Sequence, residues 1–337
     1  MLKSKRFWIG LVITIVSLVL AFQGIQLDKL ADSFGKFAWW WLPILILTFM
    51  VSYVGRAFRW QTLFEPYKPR WTRVFATLNI GYFLSNITPA RLGDFARPYL
   101  LGTLEKIPIA HAYSTLVVER AMDGLTVVLL LLALLPFIPN VPAEWVNSGL
   151  VLGAIGIGAL VVLAWVSLQR ERGIAFLQKL ASPFKFLNRE GLWKFVGNLI
   201  DGFAVIRSPR PLLKAGLWSL EIWLVAGLLA WLTMFAMDIH LPFAAGMLVQ
   251  VAAALAVTVA ASPGQVGVFH AITRYTLSEL YDVDPNQALA YAFVLHAITY
   301  VMLMLLGIGS AWREGLDLTQ LQNIRAEKPA ADKSVSA

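Results

Sequence analysis

The chain has 337 residues, of which 58% are hydrophobic and 14% charged, and its mean hydropathy is +0.67. This composition excludes a soluble domain of such length, and several apolar windows of about 20 residues or more predict an all-α polytopic membrane protein. Because there is no cysteine, disulfides, thiolate chemistry and zinc–thiolate sites are excluded. The net charge of +8 lies mainly in loops beside apolar spans, which favours anionic inner-leaflet lipids rather than nucleic acid as its partner.

The first half of the chain opens with a basic N-terminus and two apolar spans. The first span, residues 7–25, is long and has no cleavage site after it, so we expect it to be retained. Residues 26–38 are predicted to form a short, partly amphipathic outer turn, and Trp39–Trp41 anchors the second span, 39–58, at the interface. The next connection is strongly basic and is therefore predicted to be cytoplasmic; its basic residues are Arg56, Arg59, Lys68, Arg70 and Arg73.

The segment between this loop and the next long span is predicted to form a re-entrant hairpin. The span 112–137 ends in a loop without Lys or Arg, so it runs outward, and residues 74–110 must enter and leave on the cytoplasmic side. A helix over 74–88 would be about 22 Å long, short of the roughly 30 Å hydrocarbon core. At its tip, Thr88 and Pro89 read as a helix start, with a hydroxyl at the N-cap and proline at N1.

The second half of the chain also contains a segment that is predicted to enter and leave the membrane on one face, here the outer face. A span at 147–168 is followed by a basic segment, 169–211, which is predicted to form one or two amphipathic helices on the inner leaflet. The polar tail, 313–337, is predicted to lie inside. Residues 242–284 therefore enter and leave from outside, between spans predicted at 212–236 and 286–311.

The two predicted hairpins share a motif, because residues 88–95 and 262–269 both read [Ser/Thr]-Pro-x-x-x-Gly-x-Phe. The spans that follow them are separated along the chain by the same number of residues as the motifs. We therefore predict an inverted repeat, 7–137 and 147–311, with six full spans and two re-entrant hairpins in one membrane domain. Eight to ten full spans are the alternative, because the apolar run 242–261 is long enough to cross the membrane.

Inverted repeats with broken helices are typical of transporters. A Ser/Thr-Pro helix start at each break would direct free N–H groups and the positive dipole end inward, which favours an anion such as a phosphate head group. Phe95 and Phe269 are predicted to act as apolar plugs near the tips. The residues predicted to form the breaks and the anion site are Thr88, Pro89, Gly93, Ser262, Pro263, Gly264 and Gly267.

These segments resemble the lysylphosphatidylglycerol synthase transmembrane-region family, the flippase-like domain also found in multiple peptide resistance factors. The first hairpin resembles that family's Pro-x-Arg-x-Gly-Glu-x-x-Arg motif, residues 118–123 its Glu-Arg-x-x-Asp, and residues 262–267 its Pro-Gly-x-x-Gly. The resemblance covers about 7–312 and implies an integral membrane lipid translocase without the synthases' soluble aminoacyl-transferase domain. Asp94 replaces the motif's Glu, and His270 stands where the second segment usually carries Glu, which removes one acidic partner for a lysyl-type head group.

Ionisable residues inside apolar spans usually line a cavity or pair with each other. Glu119 with Arg91, and Asp123 with Arg97, are candidate ion pairs that could be structural or could brace a site. Glu221 could neutralise Arg56 or Arg120, with structure and function equally weighted. The residues predicted to bind substrate are Arg91, Asp94, Arg97, Glu119, Arg120, Asp123, Glu221 and His270.

Two histidines are interpreted differently. His270 lies in the repeated motif and could titrate near neutral pH, which would couple transport to protons. His296, on an apolar helix face, is interpreted as a packing residue.

The predicted function is a flippase or transporter that moves a phosphate-bearing lipid, a phospholipid or polyprenyl-phosphate-linked lipid, across the cytoplasmic membrane by alternating access. Because no catalytic constellation is seen, we expect no enzyme activity, no cofactor and no metal. The alternatives are a membrane enzyme acting on lipid-linked substrates and an accessory subunit. Both termini are predicted to be cytoplasmic, and a homo-oligomer is left open.

Overall fold

The computed structural model describes residues 5–88, 92–138, 143–182, 190–259 and 262–315. These residues form α-helices joined by short turns, some of them 3-10, and contain no β-strand. In chain order the helices are α1 (Lys5–Phe22), α2 (Leu27–Gly35), α3 (Leu42–Thr62), α4 (Trp71–Ile87), α5 (Leu92–Glu105), α6 (Ile109–Leu134), α7 (Ala143–Leu168), α8 (Arg170–Ala181), α9 (Glu190–Asp201), α10 (Ala204–Arg207), α11 (Pro209–Ala236), α12 (Phe243–Val259), α13 (Val268–Tyr281) and α14 (Pro285–Arg313).

Four helical segments among the described residues are long and apolar enough to cross a membrane. They are Trp39–Thr62, Ile109–Phe137, Pro209–Ala236 and Pro285–Arg313. The α1–α2 pair, bent by 86°, would be a fifth if it formed one span. The chain is therefore a multi-pass helical membrane protein, and four of the six predicted spans coincide with these segments. Full crossings by 7–25 and 147–168 remain predictions.

Each predicted hairpin segment forms two helices that pack against each other, α4 with α5 and α12 with α13. In the first pair the backbones come close at two glycines, because a Cβ on Gly93 would lie 1.9 Å from the Gly81 carbonyl oxygen. In the second pair a 3-10 turn, Pro263–Gln265, and two glycines with positive φ, Gly264 (59°) and Gly267 (86°), separate the helices. Glycine adopts this backbone conformation without steric cost, which explains its use at this break.

The contacts of α3–α6 correspond to those of α11–α14. Within each set consecutive helices pack together, α3 packs on α11 between the sets, and α4 packs on α14 as α12 packs on α6. This is the pattern expected for two copies of one four-helix unit. The helices that precede the two sets do not follow it, since α1 packs against α13 whereas α7 packs against α6.

Several predicted boundaries need correction. The α3 helix continues to Thr62, so Arg56 and Arg59 lie inside it and their assignment to the cytoplasmic loop was wrong. The physical reason is that two carboxylates from one other helix, Glu119 and Asp123 of α6, offset the cost of burying the charge of Arg59. Residues 26–38 contain a helix, α2, and the segment 169–211 contains three, α8 to α10. The polar tail lies outside the described residues from 316 onward.

The helix starts predicted at the two breaks also differ from those in the structure. Thr88 closes α4, where its hydroxyl donates to the Leu84 carbonyl as Thr side chains often do in helices. Pro89 and Arg91 lie outside the described residues. At the second break the prediction was wrong, because Ser262 precedes only the 3-10 turn and α13 begins at Val268 with Gly267 as its N-cap.

Candidate functional site

A group of buried charges lies where α3, α5 and α6 meet. Glu119 on α6 accepts from two arginines at once, Arg59 at 3.2 Å and Arg97 at 2.9 Å. The guanidinium of Arg59 also donates to Asp123 and, at 3.1 Å, to the Ser219 hydroxyl on α11. Arg59 and Arg97 are almost completely buried, with side chains 1% and 0% exposed.

A third arginine lies on the solvent-accessible side of this group of charges. Arg120 is 45% exposed and lies 3.6 to 3.8 Å from the carboxylates of Asp94, Glu119 and Asp123. We call the six residues Arg59, Asp94, Arg97, Glu119, Arg120 and Asp123 the charge cluster. Its three arginines and three carboxylates balance, so the charge cluster has no net charge to offer a ligand.

The ion pairs predicted from the sequence differ in part from those in the structure. Glu119 pairs with Arg59 and Arg97, and Asp123 pairs with Arg59 and Arg120 rather than with Arg97. The partner proposed for Glu119, Arg91, lies outside the described residues. Arg59 was missed because it follows an apolar span and resembles a cytoplasmic anchor. One signal in the sequence could have found it. An apolar span carries two carboxylates one turn apart, Glu119 and Asp123, and such carboxylates need buried cations as partners.

A cavity of about 190 Å³ lies between the two four-helix sets. Both breaks contribute to its wall, Asn86 just before the first and Gln265 in the second. The breaks are neighbours, because a Cβ on Gly264 would lie 3.7 Å from the Asn86 carbonyl oxygen. The other polar lining residues are Ser52, Tyr53, Arg56, Gln250, His296, Thr299 and Tyr300. This cavity is called the central cavity below.

Arg56 is the one Arg, Lys, Asp or Glu residue among the described residues that line the central cavity. Its guanidinium lies 5.4 Å from the ring centre of Tyr53 and 6.0 Å from that of Tyr82, within the range of a cation–π interaction. Within the described part of the chain no carboxylate comes within 4.0 Å of it. Its Nε is buried without a hydrogen-bond partner there, as are the Nε atoms of Arg59 and Arg97, so the missing ion pair is what sets Arg56 apart. Arg56 therefore differs from the balanced arginines of the charge cluster.

Glu221 does not form the ion pair proposed for it within the described residues. Its carboxylate lies against the backbone of α3, where a Cβ on Gly55 would be 2.0 Å from Oε2. Oε2 is buried and has no hydrogen-bond partner in the part of the chain that the structure describes. Arg56, the residue after Gly55 on α3, interacts with the Glu221 carboxylate electrostatically through space. Glu221 is not among the residues that line the central cavity.

Two histidines connect the central cavity to the second break. The Gly267 N–H donates to Nδ1 of His270 (3.3 Å), and Nε2 of His270 faces Nδ1 of His296 at 3.3 Å. Nε2 of His296 lies 3.0 Å from the Gly264 carbonyl oxygen. His296 is thus part of the cavity wall and of this hydrogen-bonded chain, beyond the packing role that the sequence indicated.

The remaining predicted positions have mainly backbone roles. Gly93 contacts α4, and Gly267 contacts α1, since a Cβ on Gly267 would lie 2.6 Å from the Thr14 carbonyl oxygen. The buried Ser262 hydroxyl has no hydrogen-bond partner among the described residues. Of the two predicted plugs, Phe269 lines the central cavity whereas Phe95 is 57% exposed.

Comparison with known proteins gives one family and a small set of relatives. The model of the family described as "Lysylphosphatidylglycerol synthase TM region" matches residues 7–307. Glycosyltransferase AglD of Haloferax volcanii is 26% identical over 94% of this chain and 56% of its own length, so the chain spans about half of that relative. The UPF0104 membrane protein MJ1078 of Methanocaldococcus jannaschii is 25% identical over 67% of this chain and 91% of that protein. A second protein of that organism, MJ1595, is 38% identical over 23% of this chain and 24% of its own length.

Proposed function

Because the chain belongs to the lysylphosphatidylglycerol synthase transmembrane-region family, we propose that it acts on lipid-linked substrates as a transporter. In this proposal it moves a phosphate-bearing lipid across the cytoplasmic membrane and is not an enzyme. The family's description names a phospholipid, lysylphosphatidylglycerol, which supports the broader class of lipid-linked substrates, and one relative is named a glycosyltransferase. A membrane enzyme is the competing possibility, and the experiment below separates the two.

The observation that carries the proposal is Arg56 in the wall of the central cavity. A cation removed from water is costly unless an anion is near, and no carboxylate within the described residues pairs with this one. The planar fork of an arginine matches two phosphate oxygens, so an anionic lipid head group is a suitable partner. The proposal thus moves the phosphate contact from the arginines predicted to bind substrate, Arg91, Arg97 and Arg120, to Arg56. The charge cluster then braces α3, α5 and α6 around the cavity.

The helix arrangement supports a transport cycle. At 17 residues each, α4 and α12 are about 26 Å long, shorter than the roughly 30 Å hydrocarbon core. We therefore propose that the two hairpins are re-entrant and oppositely oriented, and that both termini are cytoplasmic. Corresponding contacts in the two four-helix sets agree with such an inverted repeat. Alternate sealing of the central cavity by the two breaks would expose the head group to one leaflet at a time.

The proposal is tested by lipid translocation in proteoliposomes. The purified full-length chain is reconstituted with a trace of fluorescent NBD-phosphatidylglycerol, and dithionite reports the rate at which inner-leaflet lipid becomes reducible. We expect Arg56→Gln to slow translocation about 10- to 100-fold, the loss expected for charge-assisted hydrogen bonds to a phosphate. Arg56→Lys should restore only part of the rate, because an ammonium lacks the bidentate fork.

The matched control is Arg73→Gln. Arg73 forms a partly exposed ion pair with Glu105 at 3.1 Å, and neither residue is among those that line the central cavity. Its substitution should leave the rate within twofold of wild type. Chemical conversion of the lipid, or equal rates for wild-type and Arg56→Gln protein, would overturn the proposal.

A further inference from the structure

The polar groups of the central cavity other than Arg56 are amides, hydroxyls and one imidazole. Gln250 and Gln265 make no side-chain hydrogen bond to any other described residue, although both face the cavity. Asn86 uses its amide N–H to donate to the Tyr82 carbonyl at 2.9 Å, which leaves its oxygen available. Each free amide can donate and accept, and each ligand hydroxyl can do the same.

No Asp or Glu is among the described residues that line this cavity. The carboxylates of the charge cluster are matched by Arg59, Arg97 and Arg120. Glu221 has no ion-pair partner among the described residues, but it lies against Gly55 and is not among the residues that line the cavity. A head group with a free ammonium would be desolvated here beside another cation, Arg56. Burying such a charge without a partner is strongly unfavourable.

From this wall we infer that the transported lipid carries a neutral, polyhydroxylated head group, such as a sugar or cyclic polyol, on a single phosphodiester. The inference rests on the proposed function and narrows it. A single arginine suits one negative charge, the unpaired amides suit hydroxyl groups, and the aromatic rings of Tyr53, Phe269 and Tyr300 offer apolar faces to ring C–H groups. The aminoacylated head group in the family's name does not suit this wall.

The test compares head groups on the same acyl chains in the proteoliposome assay. The probes are NBD-labelled phosphatidylinositol, lysyl-phosphatidylglycerol, phosphatidic acid and a monohexosyl diacylglycerol that lacks phosphate. We expect phosphatidylinositol to move at least tenfold faster than either the lysyl lipid or the phosphate-free glycolipid. Equal or faster movement of the lysyl lipid would overturn the inference.

Variants of the amides separate recognition from folding. Gln250→Leu and Gln265→Leu should slow phosphatidylinositol at least tenfold and leave phosphatidic acid within twofold, whereas Gln178→Leu, on an exposed position of α8, should change neither. Gln250→Glu adds the missing carboxylate and should raise the lysyl lipid's rate relative to phosphatidylinositol. An unchanged preference in all three cavity variants would overturn the inference.

The outcomes also distinguish this inference from the proposed function. If no labelled lipid moves with any head group, the proposed function itself fails. If all three phospholipids move at equal rates and all depend on Arg56, the proposed function stands and the head-group inference fails.

Discussion

At the scale of single residues, Glu119 holds two buried arginines from different helices, Arg59 of α3 and Arg97 of α5. Replacing it with glutamine keeps the shape but leaves these cations short of one negative charge. Removing one partner of a buried ion pair costs about 3–5 kcal/mol. We therefore expect Glu119→Gln to lower the thermal unfolding midpoint in detergent strongly. Glu105→Gln breaks only the partly exposed pair with Arg73 and should cost less than about 1 kcal/mol.

A second substitution separates charge balance from lost packing. In Glu119→Gln/Arg97→Gln the surplus cation is removed, while Arg59 keeps its contact with Asp123. This double variant should unfold at a higher temperature than Glu119→Gln alone. A double variant as unstable as the sum of the two single ones would mean that the contacts are independent and that the charge cluster is not a balanced unit.

At the scale of elements, the second break is held by a directional hydrogen-bonded chain. Because the Gly267 N–H donates to His270, the proton of that ring lies on the nitrogen facing His296, whose own proton faces the Gly264 carbonyl. Both rings are neutral in this arrangement, and protonating either one puts two N–H donors face to face. The other titratable groups among the described residues that line the central cavity are Tyr53, Arg56 and Tyr300.

We therefore expect low pH to loosen the second break. A single cysteine introduced as Gln265→Cys should react faster with an aqueous maleimide as the pH falls from about 8 to about 5, after correction for the thiolate fraction. In the Gln265→Cys/His296→Gln protein the acceleration should disappear, because glutamine still donates to Gly264 but does not protonate. The exposed His240 provides the control, since His240→Gln should leave the pH dependence intact. Acceleration that persists without His296 would show that the chain does not hold the break.

At the scale of the whole molecule, the proposed inverted repeat predicts that corresponding connections lie on opposite membrane faces. The α3–α4 connection contains Lys68 and the α11–α12 connection contains His240. Since the chain has no cysteine, Lys68→Cys and His240→Cys each introduce a unique thiol. An impermeant maleimide applied to intact cells should label position 240 and reach position 68 only after lysis. Labelling of both from outside would contradict the opposite orientation of the two copies.

The hairpin tips add a second criterion in the same experiment. If the hairpins are re-entrant, Thr88→Cys and Ser262→Cys should react far more slowly than the loop positions from either face, because the tips lie near the midplane. Rapid labelling of position 88 from outside would mean that α4 crosses the membrane completely.

The sequence by itself determined the membrane class, four of the spans and the two helix pairs separated by Pro- and Gly-containing breaks. These features depend on hydrophobicity and turn chemistry that contiguous residues carry, so they are readable without a fold. Local sequence signals placed Arg56 and Arg59 in a cytoplasmic loop, because a basic residue at the end of an apolar run normally marks such a loop.

Only the tertiary structure decided which charges are balanced and which face the central cavity. The partners of Arg59 lie 60 and 64 residues away along the chain, and the cavity wall joins Arg56 to residues of α4, α12 and α14. Whether a buried cation is compensated depends on carboxylates that other helices bring within a few ångströms. Arg59 forms ion pairs with two carboxylates and becomes part of a brace. Arg56, one turn earlier on α3, forms no ion pair within 4.0 Å among the described residues and becomes the candidate phosphate contact.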